Sequence, residues 1–410
     1  MPSNPAAAAP VVQPGAPETA APHDERRVRV LRDVAELAPV REAWLRLLTD
    51  QIAAHPDFFE AALRVDDKIV RPHVLVLERG DAVEAMLVGR IERLEFAVRA
   101  GYRKLYAPRV TSITIVQGGI LGAVDGDVFR LLLRAVRESL AAGEGDVAIV
   151  RYLPLASELH RIASTEPPFL SRQHVHDGEV HWELELPESV DAVLAGLSSS
   201  ARQSTKRYNR KLEKEYGDRI SVRVFTDAAE LDEFFRDIEP VSAKTYQRAL
   251  GVSFGDTPAY RERTRVSMEH GWFRGYVLYL DARPVAFHHG ELFGGRFRHG
   301  RPGYDPELAH LRIGTFLLLR MIDDLCGHPD ARVVDYGVGD ADYKKRFGTR
   351  STREGNVVVY APTVRATTVN VVRSLLLAGV GVGKRALKGS DLYRRIKRRW
   401  RGRLLRANGS

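Results

Sequence analysis

Residues 284–327 read PVAFHHGELFGGRFRHGRPGYDPELAHLRIGTFLLLRMIDDLCG, and this stretch contains the elements that decide the fold. Its first two apolar runs, Pro284 to Phe293 and Arg296 to Gly300, predict neighbouring strands. After the loop, a helical pattern predicts a helix from Ile313 to Leu325. The run from Phe273 to Leu280 predicts a hairpin with the first of these strands. The stretch and the run before it therefore predict three antiparallel strands that lead into a helix.

The same order of predicted elements occurs twice along the chain. In the first half the order is strand, two helices, three strands, helix, strand, short helix and strand, at 28–31, 34–48, 58–65, 74–77, 82–90, 112–116, 128–141, 147–152, 155–162 and 180–186. After a basic helix at 199–216, the same order returns at 220–225, 228–246, 260–270, 273–280, 284–293, 296–300, 313–325, 333–336, 343–347 and 356–360. The repetition predicts an α/β protein with a mixed, α+β type of sheet that arose by internal duplication.

Several short motifs carry a resemblance to a known family. They are LSSSARQSTKR at 197–207, YDP at 304–306, RIG at 312–314, DYGVGD at 335–340 and YK at 343–344. With the doubled element order, they resemble the CelD-like acetyltransferases, which use the N-acetyltransferase (GNAT) fold in tandem and are related to Fem-type transferases. The resemblance covers roughly residues 190 to 350. It implies acyl transfer from a coenzyme A thioester, usually acetyl-CoA, to an amine or hydroxyl, often on a polysaccharide precursor.

The resemblance divides the chain into four parts. Residues 1–25 form an Ala/Pro-rich leader that we expect to be disordered, 26–187 a degenerate GNAT-like domain, 188–363 a catalytic GNAT-like domain, and 364–410 a basic amphipathic tail. The leader lacks the basic start and apolar run of an export signal. The most apolar later stretch, 374–382, is shorter than the ~20 residues that a spanning helix requires. We therefore expect neither an export signal nor a transmembrane segment.

Charge and cysteine content limit the location. The chain of 410 residues has a net charge of +9, and the tail holds thirteen basic residues against one acidic residue, Asp391. The body is therefore near neutral. Cys326 is the single cysteine, so an internal disulfide and a Cys-based zinc site are excluded, and a reducing cytoplasm fits best. The tail predicts peripheral contact with the inner face of the membrane, contact with RNA, or simply a disordered basic end.

The resemblance implies a site for the acyl donor at the start of the helix that begins near Ile313. In this fold the pyrophosphate of coenzyme A meets the free backbone N–H groups of that helix start. Gly314 allows a close approach, Arg312 offers a charged donor, and Thr315 offers a hydroxyl. The usual Gln/Arg-x-x-Gly-x-Gly/Ala pattern is incomplete, since a leucine and a phenylalanine occupy its outer places. The matching loop of the first half carries Asp125 and Asp127, which would repel a phosphate.

Three residues are candidates for the chemistry. Tyr343 lies where the family places an acid beside the thioester sulfur, with packing on the sheet as the alternative. Asp335 and His299 are candidates for the base, because desolvation in an apolar strand raises the pKa of a carboxylate. Asp335 has the alternative of holding the Gly337-Val338-Gly339 turn. The family's oxyanion donor is a backbone N–H between Phe297 and Gly300.

Other residues are expected to hold the acceptor, which we expect to be a small molecule or a sugar-linked precursor. Arg202 and Lys206 begin a basic stripe that could bind a phosphate-bearing acceptor, with a solvated surface paired to Glu213 and Glu215 as the alternative. The remaining predicted contacts are Tyr304, Asp305 and Lys344.

We expect no metal site, because the adjacent residues His288 and His289 point to opposite faces of a strand and cannot share one ion. Two alternatives to the acetyl-CoA enzyme stay open. One is a Fem-type transferase that takes its acyl group from charged tRNA, which is the only reading with a nucleic-acid partner. The other is a non-catalytic scaffold for polysaccharide biosynthesis.

Overall fold

A computed structural model of the protein describes residues 26–387, apart from 102, 176, 177, 246, 247, 249–253 and 340, with backbone only at 384–387. The predicted leader, 1–25, and most of the basic tail, 388–410, lie outside the described residues. Asp340 of the DYGVGD motif also lies outside them.

The first half of the chain contains nine strands and four α-helices among the described residues. Its strands are β1 Arg26–Leu31, β2 Ile69–Pro72, β3 Val74–Arg79, β4 Ala82–Glu95, β5 Val98–Ala100, β6 Arg103–Tyr106, β7 Arg109–Gly122, β8 Val147–Pro154 and β9 Glu179–Glu185. Its helices are α1 Arg41–Leu47, α2 Pro56–Val65, α3 Gly126–Ala141 and α4 Glu158–Thr165.

The second half repeats this order after two additional helices. Its helices are α5 Val190–Ala195, α6 Ser199–Tyr216, α7 Leu231–Ala243, α8 Pro258–Glu269, α9 Ile313–Cys326, α10 Asp342–Phe347 and α11 Val364–Leu387. Its strands are β10 Ile220–Phe225, β11 Phe273–Leu280, β12 Arg283–Phe293, β13 Arg296–His299, β14 Gly303–Tyr304, β15 Val333–Val338 and β16 Arg350–Tyr360. The chain is thus a mixed α/β protein, as the repeated element order predicts.

The two halves share one sheet through exchanged strands. The strand order is β1-β3-β4-β7-β8-β16-β9-β15-β13-β12-β11-β10. β9, the last strand of the first half, pairs with β15, and β16, the last strand of the second half, pairs with β8. The element order predicts both strands but not their partners, because the hydrophobic pattern of a strand does not specify which edge it joins. The exchange brings side chains of the first half to the region around β15.

The helix α9 forms the centre of the second half. Eight of its residues are buried: Ile313, Phe316, Leu317, Leu318, Leu319, Met321, Ile322 and Leu325. An apolar surface this wide is expected for a helix covered on both sides, and α9 contacts β12 on one side and α5 and α6 on the other. A Leu317→Ala change would cost about 2–5 kcal/mol of stability, because it leaves a cavity in this core. The start of α9 is therefore held rigidly against the sheet.

The helix α11 is long and apolar enough, by length and composition, to cross a membrane. Its segment Val364–Gly383 has a mean hydropathy of 1.4, and 17% of its most apolar window is buried. The prediction that no segment is long enough to span a membrane is wrong by length and composition. The apolar segment continues before Arg373, whereas the predicted stretch, 374–382, begins after it. Arg373 donates to the carbonyl of Phe96 and stacks over its ring, 3.5 Å from the centroid. The first turns of α11 therefore pack against the first half.

Candidate active site

A cavity of about 530 Å³ lies where β13 and β15 separate. The two strands are parallel neighbours as far as Arg298 and Asp335, and the next residue of each strand, His299 or Tyr336, lines the cavity. Gly337 has a φ of 67°, in the left-handed region that favours glycine, and the strand register is irregular beside it. The parting of two strands in the middle of a sheet creates an opening for a ligand between them.

The first half forms one wall of this cavity. Phe58 of α2, Gln117 of β7 and Tyr152 of β8 all line it. The Phe58 ring lies 5.6 Å from the guanidinium carbon of Arg298, which comes from β13. Tyr152 adopts a φ of 54°, an uncommon conformation for a residue with a side chain. The cavity is therefore built by both halves, although the strands that part to make it belong to the second half.

A chain of hydrogen bonds links His299 to the first turn of α9. His288 Nε2 lies 3.1 Å from the carbonyl oxygen of Gly314, and His288 Nδ1 lies 2.8 Å from His299 Nε2. A carbonyl only accepts, so Nε2 of His288 carries the hydrogen and its Nδ1 accepts from His299 Nε2. In neutral His299 the lone pair is then on Nδ1. That atom is buried and has no hydrogen-bond partner among the described residues. The network thus leaves one basic nitrogen available at the cavity.

Burial keeps these histidines neutral. Burial, with the charges of neighbouring groups, lowers the pKa of His299 well below its usual value. Burial lowers the pKa of His288 to about 4. Both side chains are therefore uncharged near neutral pH, which is the state in which His299 Nδ1 accepts a proton.

Tyr343, the predicted acid, lies beside His299. Its ring is 6.1 Å from the His299 ring and 5.7 Å from the Tyr336 ring, both at right angles. Tyr336 is 2% exposed, and burial raises the pKa of its hydroxyl. Tyr343 is half-buried and lines the cavity. Two hydroxyl-bearing rings therefore border the histidine from the side of β15 and α10.

Asp335 is held in an ion pair rather than left as a base. Its Oδ1 lies 2.6 Å from His181 Nε2 and accepts the N–H of Gly337 at 2.7 Å. Burial alone would raise the pKa of this carboxyl, but the bond to His181 and the N–H of Gly337 outweigh it and lower the pKa. The expectation of a raised pKa is therefore corrected. The geometry instead matches the alternative in which Asp335 holds the turn at Gly337.

His181 completes this ion pair from the other half of the chain. Its Nδ1 lies 2.8 Å from Glu354 of β16, so the imidazole sits between two carboxylates. Burial alone would lower the pKa of His181, but its bonds to Asp335 and Glu354 raise the pKa to about 10. His181 is thus a buried cation that the strand exchange brings to β15.

Three side chains near this pair lie close enough to hold a metal ion. They are His181, Glu183 and Asp335, whose ligand atoms fall within 4.8 Å of one another. Each already has a partner of opposite charge, since Glu183 pairs with Arg296 and, at 2.9 Å, with Arg350. A metal would have to displace these cations. The predicted split of His288 and His289 is confirmed, because His288 faces α9 while His289 lies 3.3 Å from the hydroxyl of Tyr260 on α8.

The start of α9 fits an anion. Arg312 precedes the helix with a φ of 56°, no side chain caps this end, and no acidic residue lies in its first turn. Thr315 N–H and the following N–H both turn back to the Arg312 carbonyl, at 2.9 and 3.1 Å. A methyl group on Gly314 would come within 3.3 Å of the Tyr304 ring. Gly314 therefore leaves room for the Tyr304 ring to pack against this helix start, whose positive dipole meets no acidic side chain in the first turn.

The start of α3 in the first half is closed by its own carboxylates. Asp125 caps the helix by accepting the Val128 N–H at 2.8 Å, and Asp127 follows in the first turn. A methyl group on Gly126 would lie 2.5 Å from a carboxylate oxygen of Glu158. Three acidic side chains therefore surround the start of α3, whereas the first turn of α9 contains no acidic residue.

The basic helix α6 lies beside the start of α9. The Arg312 guanidinium stacks over the ring of Tyr208 on α6, 4.5 Å from the centroid. A second cavity of about 720 Å³ follows α6 and is lined by Arg202 and Lys206, among other polar residues. Neither cation has a carboxylate within ion-pair distance in the described part of the chain. Glu213 instead lies 3.6 Å from Arg320.

Three predicted acceptor contacts have different surroundings. Tyr304 is 43% exposed and lies against Gly314, on the donor side. Asp305 is buried, pairs with Lys244 at 2.7 Å and with Arg283, and caps the following turn. Both of its carboxylate oxygens therefore have partners within the fold. Lys344 lines the cavity at β15 but donates to the carbonyl of Val338 at 2.8 Å.

Sequence reasoning missed several residues of the cavity. Tyr260 and Arg263 come from α8, and Glu291 and Arg298 lie on the face of the β12–β13 hairpin opposite His288. The period of two in that hairpin could have placed Glu291 and Arg298 together, since they are directly paired in the register. Nothing in the sequence indicates that α8 reaches them.

Comparison with known proteins gives a family for part of the chain. Residues 199–345 match the family model described as Acetyltransferase (GNAT) domain. This part of the chain is therefore similar to GNAT acetyltransferase domains. Comparison with curated protein sequences gives no match.

Solved structures extend the similarity of fold across both halves. FemX has a TM-score of 0.54 at 10% identity, with 78% of this chain and 95% of that chain covered. A tandem GNAT protein from the clavulanic acid biosynthesis pathway has a TM-score of 0.51 at 15% identity, with 82% and 99% covered. A conserved protein of unknown function from Bacteroides thetaiotaomicron VPI-5482 has a TM-score of 0.51 at 11% identity, with 81% and 100% covered. The described part of the chain thus has a tandem GNAT-like fold.

Proposed function

We propose that the protein is an acyltransferase that moves an acetyl or other acyl group from acyl-CoA directly to an amine or hydroxyl. One observation carries this proposal. The acid-free, uncapped start of α9 is joined through Gly314 and His288 to the basic nitrogen of His299 at the cavity. A site for the phosphates of the donor and a base for the acceptor are therefore fixed relative to each other. The motif resemblance to CelD-like enzymes supports a sugar-linked acceptor.

The donor would bind along the start of α9. The N–H groups of its first turn and the guanidinium of Arg312 would hold the pyrophosphate, and the Thr315 hydroxyl is close by. Arg202 and Lys206 of α6 would extend this positive surface toward the remaining phosphate. The arrangement fits the group although the Gln/Arg-x-x-Gly-x-Gly/Ala pattern is incomplete, because backbone N–H groups provide most of the contacts.

The acceptor would react in the cavity between β13 and β15. His299 Nδ1 takes a proton from the amine or hydroxyl as the new bond to the acyl carbon forms. The carbon–sulfur bond then breaks, and Tyr343 gives a proton to the departing thiolate. The resemblance implies an oxyanion donor among the backbone N–H groups between Phe297 and Gly300. Gly300 N–H bonds the carbonyl of His289 on β12 at 2.7 Å, and the parallel register of Arg298 on Asp335 directs the His299 N–H toward β15.

Thermal unfolding with acetyl-CoA tests the proposal. A ligand that binds only the folded state stabilises it by RT ln(1 + [L]/Kd), about 2.7 kcal/mol at a hundred times Kd. We expect this shift in the parent and its loss in Gly314→Glu, which places a carboxylate at the start of α9. Gly327→Glu is the matched control, because it adds the same charge at the other end of α9, where the nearest atom to a new Cβ lies at 3.6 Å.

Each alternative has its own outcome in this experiment. Binding of charged tRNA without binding of acetyl-CoA would replace the proposal with a Fem-type transferase. A parent that responds to neither ligand would leave a scaffold. A shift that survives in Gly314→Glu would show that acetyl-CoA binds elsewhere. Release of free coenzyme A on addition of an amine, followed with a thiol reagent, completes the test of catalysis.

We also propose that the protein is cytoplasmic and that α11 and the basic residues after it contact the membrane surface. Leu375 and Val382 of α11 are 69% and 60% exposed. Basic residues near an anionic surface contribute about 1 kcal/mol each. Co-sedimentation with phosphatidylglycerol vesicles should fall in the Leu375→Glu/Val382→Glu variant and not in Val34→Glu, which changes an exposed valine of the first half. Equal binding by all three proteins would contradict the proposal.

A further inference from the structure

One arginine of the cavity has no carboxylate partner. Arg263 of α8 lines the cavity and is half-buried. Its Nε donates to the carbonyl of Ala259 at 3.1 Å, and its guanidinium carbon lies 5.6 Å from the centroid of the Tyr260 ring. Among the described residues, no acceptor bonds its two terminal nitrogens and no carboxylate lies within ion-pair distance. The side of the guanidinium that binds carboxylates or phosphates in pairs is therefore available.

The carboxylates that face the cavity already have partners. Glu291 lies 3.1 Å from Arg298, and Asp335 is held by His181. Lys344 adds a further positive charge to the same lining. The cavity therefore has an excess of positive charge.

This excess is unfavourable without a ligand. Removing a charge from water costs free energy unless a partner of opposite charge replaces the lost hydration. Burial, with a smaller effect from the charge of Arg298, lowers the pKa of Arg263, which reflects that cost. The charge of Glu291 opposes the effect but is shared with Arg298. An anion in the cavity would remove the imbalance.

We infer that Arg263 binds an anionic group, a carboxylate or phosphate, of the acyl acceptor. The inference rests on the proposed function for the identity of the ligand as an acceptor, whereas the anion site itself rests on the cavity alone. A volume of about 530 Å³ is in the range of small-molecule pockets. Arg263 and His299 line the same cavity, so the acceptor would be held at its charged end by Arg263 and react at the other end beside His299.

The first experiment measures anion binding without turnover. Thermal unfolding is followed with inorganic phosphate and, separately, with acetate, for the parent, Arg263→Gln, Arg263→Lys and Arg312→Gln. We expect Arg263→Gln to lose the part of the stabilisation that belongs to the cavity, Arg263→Lys to keep some of that part, and Arg312→Gln to lose only the part that belongs to the start of α9. The comparison with Arg312→Gln separates the cavity from the start of α9. A response to phosphate alone would select a phosphate-bearing acceptor, and a response to both anions would admit a carboxylate.

The second experiment measures the preference between two acceptors of the same length. The rate of coenzyme A release from acetyl-CoA is compared for 4-aminobutyrate and butylamine. We expect kcat/KM to favour the carboxylate by about 10- to 100-fold, as a charged hydrogen-bonded pair provides. In Arg263→Gln the preference should disappear, mainly through KM. Arg263→Lys should restore part of it.

The outcomes separate this inference from the proposed function. Phosphate or acetate that stabilises Arg263→Gln as much as the parent would overturn the inference, and so would equal use of the two amines by the parent. Failure of the proposed function looks different, since neither amine would then release coenzyme A. Anion binding that depends on Arg263 would still support the anion site in that case. Each variant is first checked for cooperative unfolding, with Arg263→Lys as the form most certain to keep the packing on Tyr260.

Discussion

The starts of α3 and α9 occupy matching places in the two halves and have opposite chemistry. Asp125 caps α3 with its side chain, and Glu158 lies against its first residue. α9 has neither a side-chain cap nor an acid in its first turn. A helix start surrounded by carboxylates repels an anion, whereas one without them leaves its positive dipole available to an anion. The difference supports the proposal that the second half binds the donor while the first half has a structural role.

His73 of the first half and His299 of the second half differ in the same way. Substituting each of them tests the largest predicted effect on activity. His73 of the first half is fully buried, has a pKa lowered by burial to about 4, and has no hydrogen-bond partner for either ring nitrogen in the described structure. His299 is also buried and neutral, but it takes part in the series of hydrogen bonds that runs through His288 to the carbonyl of Gly314. His299→Gln should lower kcat by about 10²- to 10⁴-fold, the usual contribution of a general base. His73→Gln should leave kcat unchanged.

The pH profile adds a second readout for His299. The pKa of His299 lies well below 6.5, so the base stays deprotonated and kcat/KM should not fall until the pH is well below that value. The measurement is the acid limb of kcat/KM in the parent and in both variants. An equal loss of rate in His73→Gln, or a parent limb centred above pH 6.5, would contradict the role given to His299.

The next effect concerns the link that the strand exchange makes between the halves. His181→Gln leaves the buried Asp335 and the half-buried Glu354 without this cation, which should cost about 3–5 kcal/mol of unfolding free energy. His310→Gln, at an exposed histidine, is the control. Denaturant unfolding of the three proteins measures the difference. A cost below that of the control would show that the ion pair does not hold the halves together.

The same ion pair predicts a pH window for stability. The pKa of His181 is raised to about 10 in the folded protein, above its ordinary value of 6.5. Its contribution is therefore complete below pH 6.5 and is lost as the pH rises from 6.5 through about 10. The difference in stability between the parent and His181→Gln should shrink over that range. A difference that stays constant would mean that His181 is not charged in the folded state.

The smallest effect tests whether α6 extends the site at α9. Arg202→Gln and Lys206→Gln should each weaken acetyl-CoA binding by up to about fivefold, because exposed charges contribute about 0.2–1 kcal/mol. The loss should shrink as salt is added. Lys211→Gln, on the same helix but outside the cavity lining, is the control. If all three variants bind alike at low salt, the basic helix is only a solvated surface.

The sequence predicts the elements well and their partners poorly. The hairpin and the helix α9 follow from their apolar periods, and the opposite directions of His288 and His289 follow from the strand period of two. Predicting the hydrogen bond between His288 and His299 would have required the register of β12 on β13, which places the two residues diagonally across the strand pair. No periodicity shows that β9 and β16 change places, so the partner of Asp335 could not be found. That missing partner is why a raised pKa was expected for Asp335.

Longer-range packing explains the other differences. Asp305 belongs to a motif that suggests contact with a ligand. Its carboxylate instead accepts a hydrogen bond from Lys244, which directly follows α7 and is far away in sequence. Arg373 reads as an interruption of an apolar segment, yet it packs on Phe96 of the first half. Tyr343, in contrast, lies beside His299, as its place after β15 predicts. Short-range patterns therefore placed these two candidate residues together more reliably than they identified the partners of Asp335 and Asp305.

The stoichiometry of acetyl-CoA binding, measured by titration calorimetry, tests the central difference between the two halves most directly. We predict one site per chain, lost in Gly314→Glu and retained in Gly327→Glu and in Asp127→Asn. Two sites per chain, or a single site that survives in Gly314→Glu, would contradict the assignment of donor binding to the start of α9 alone.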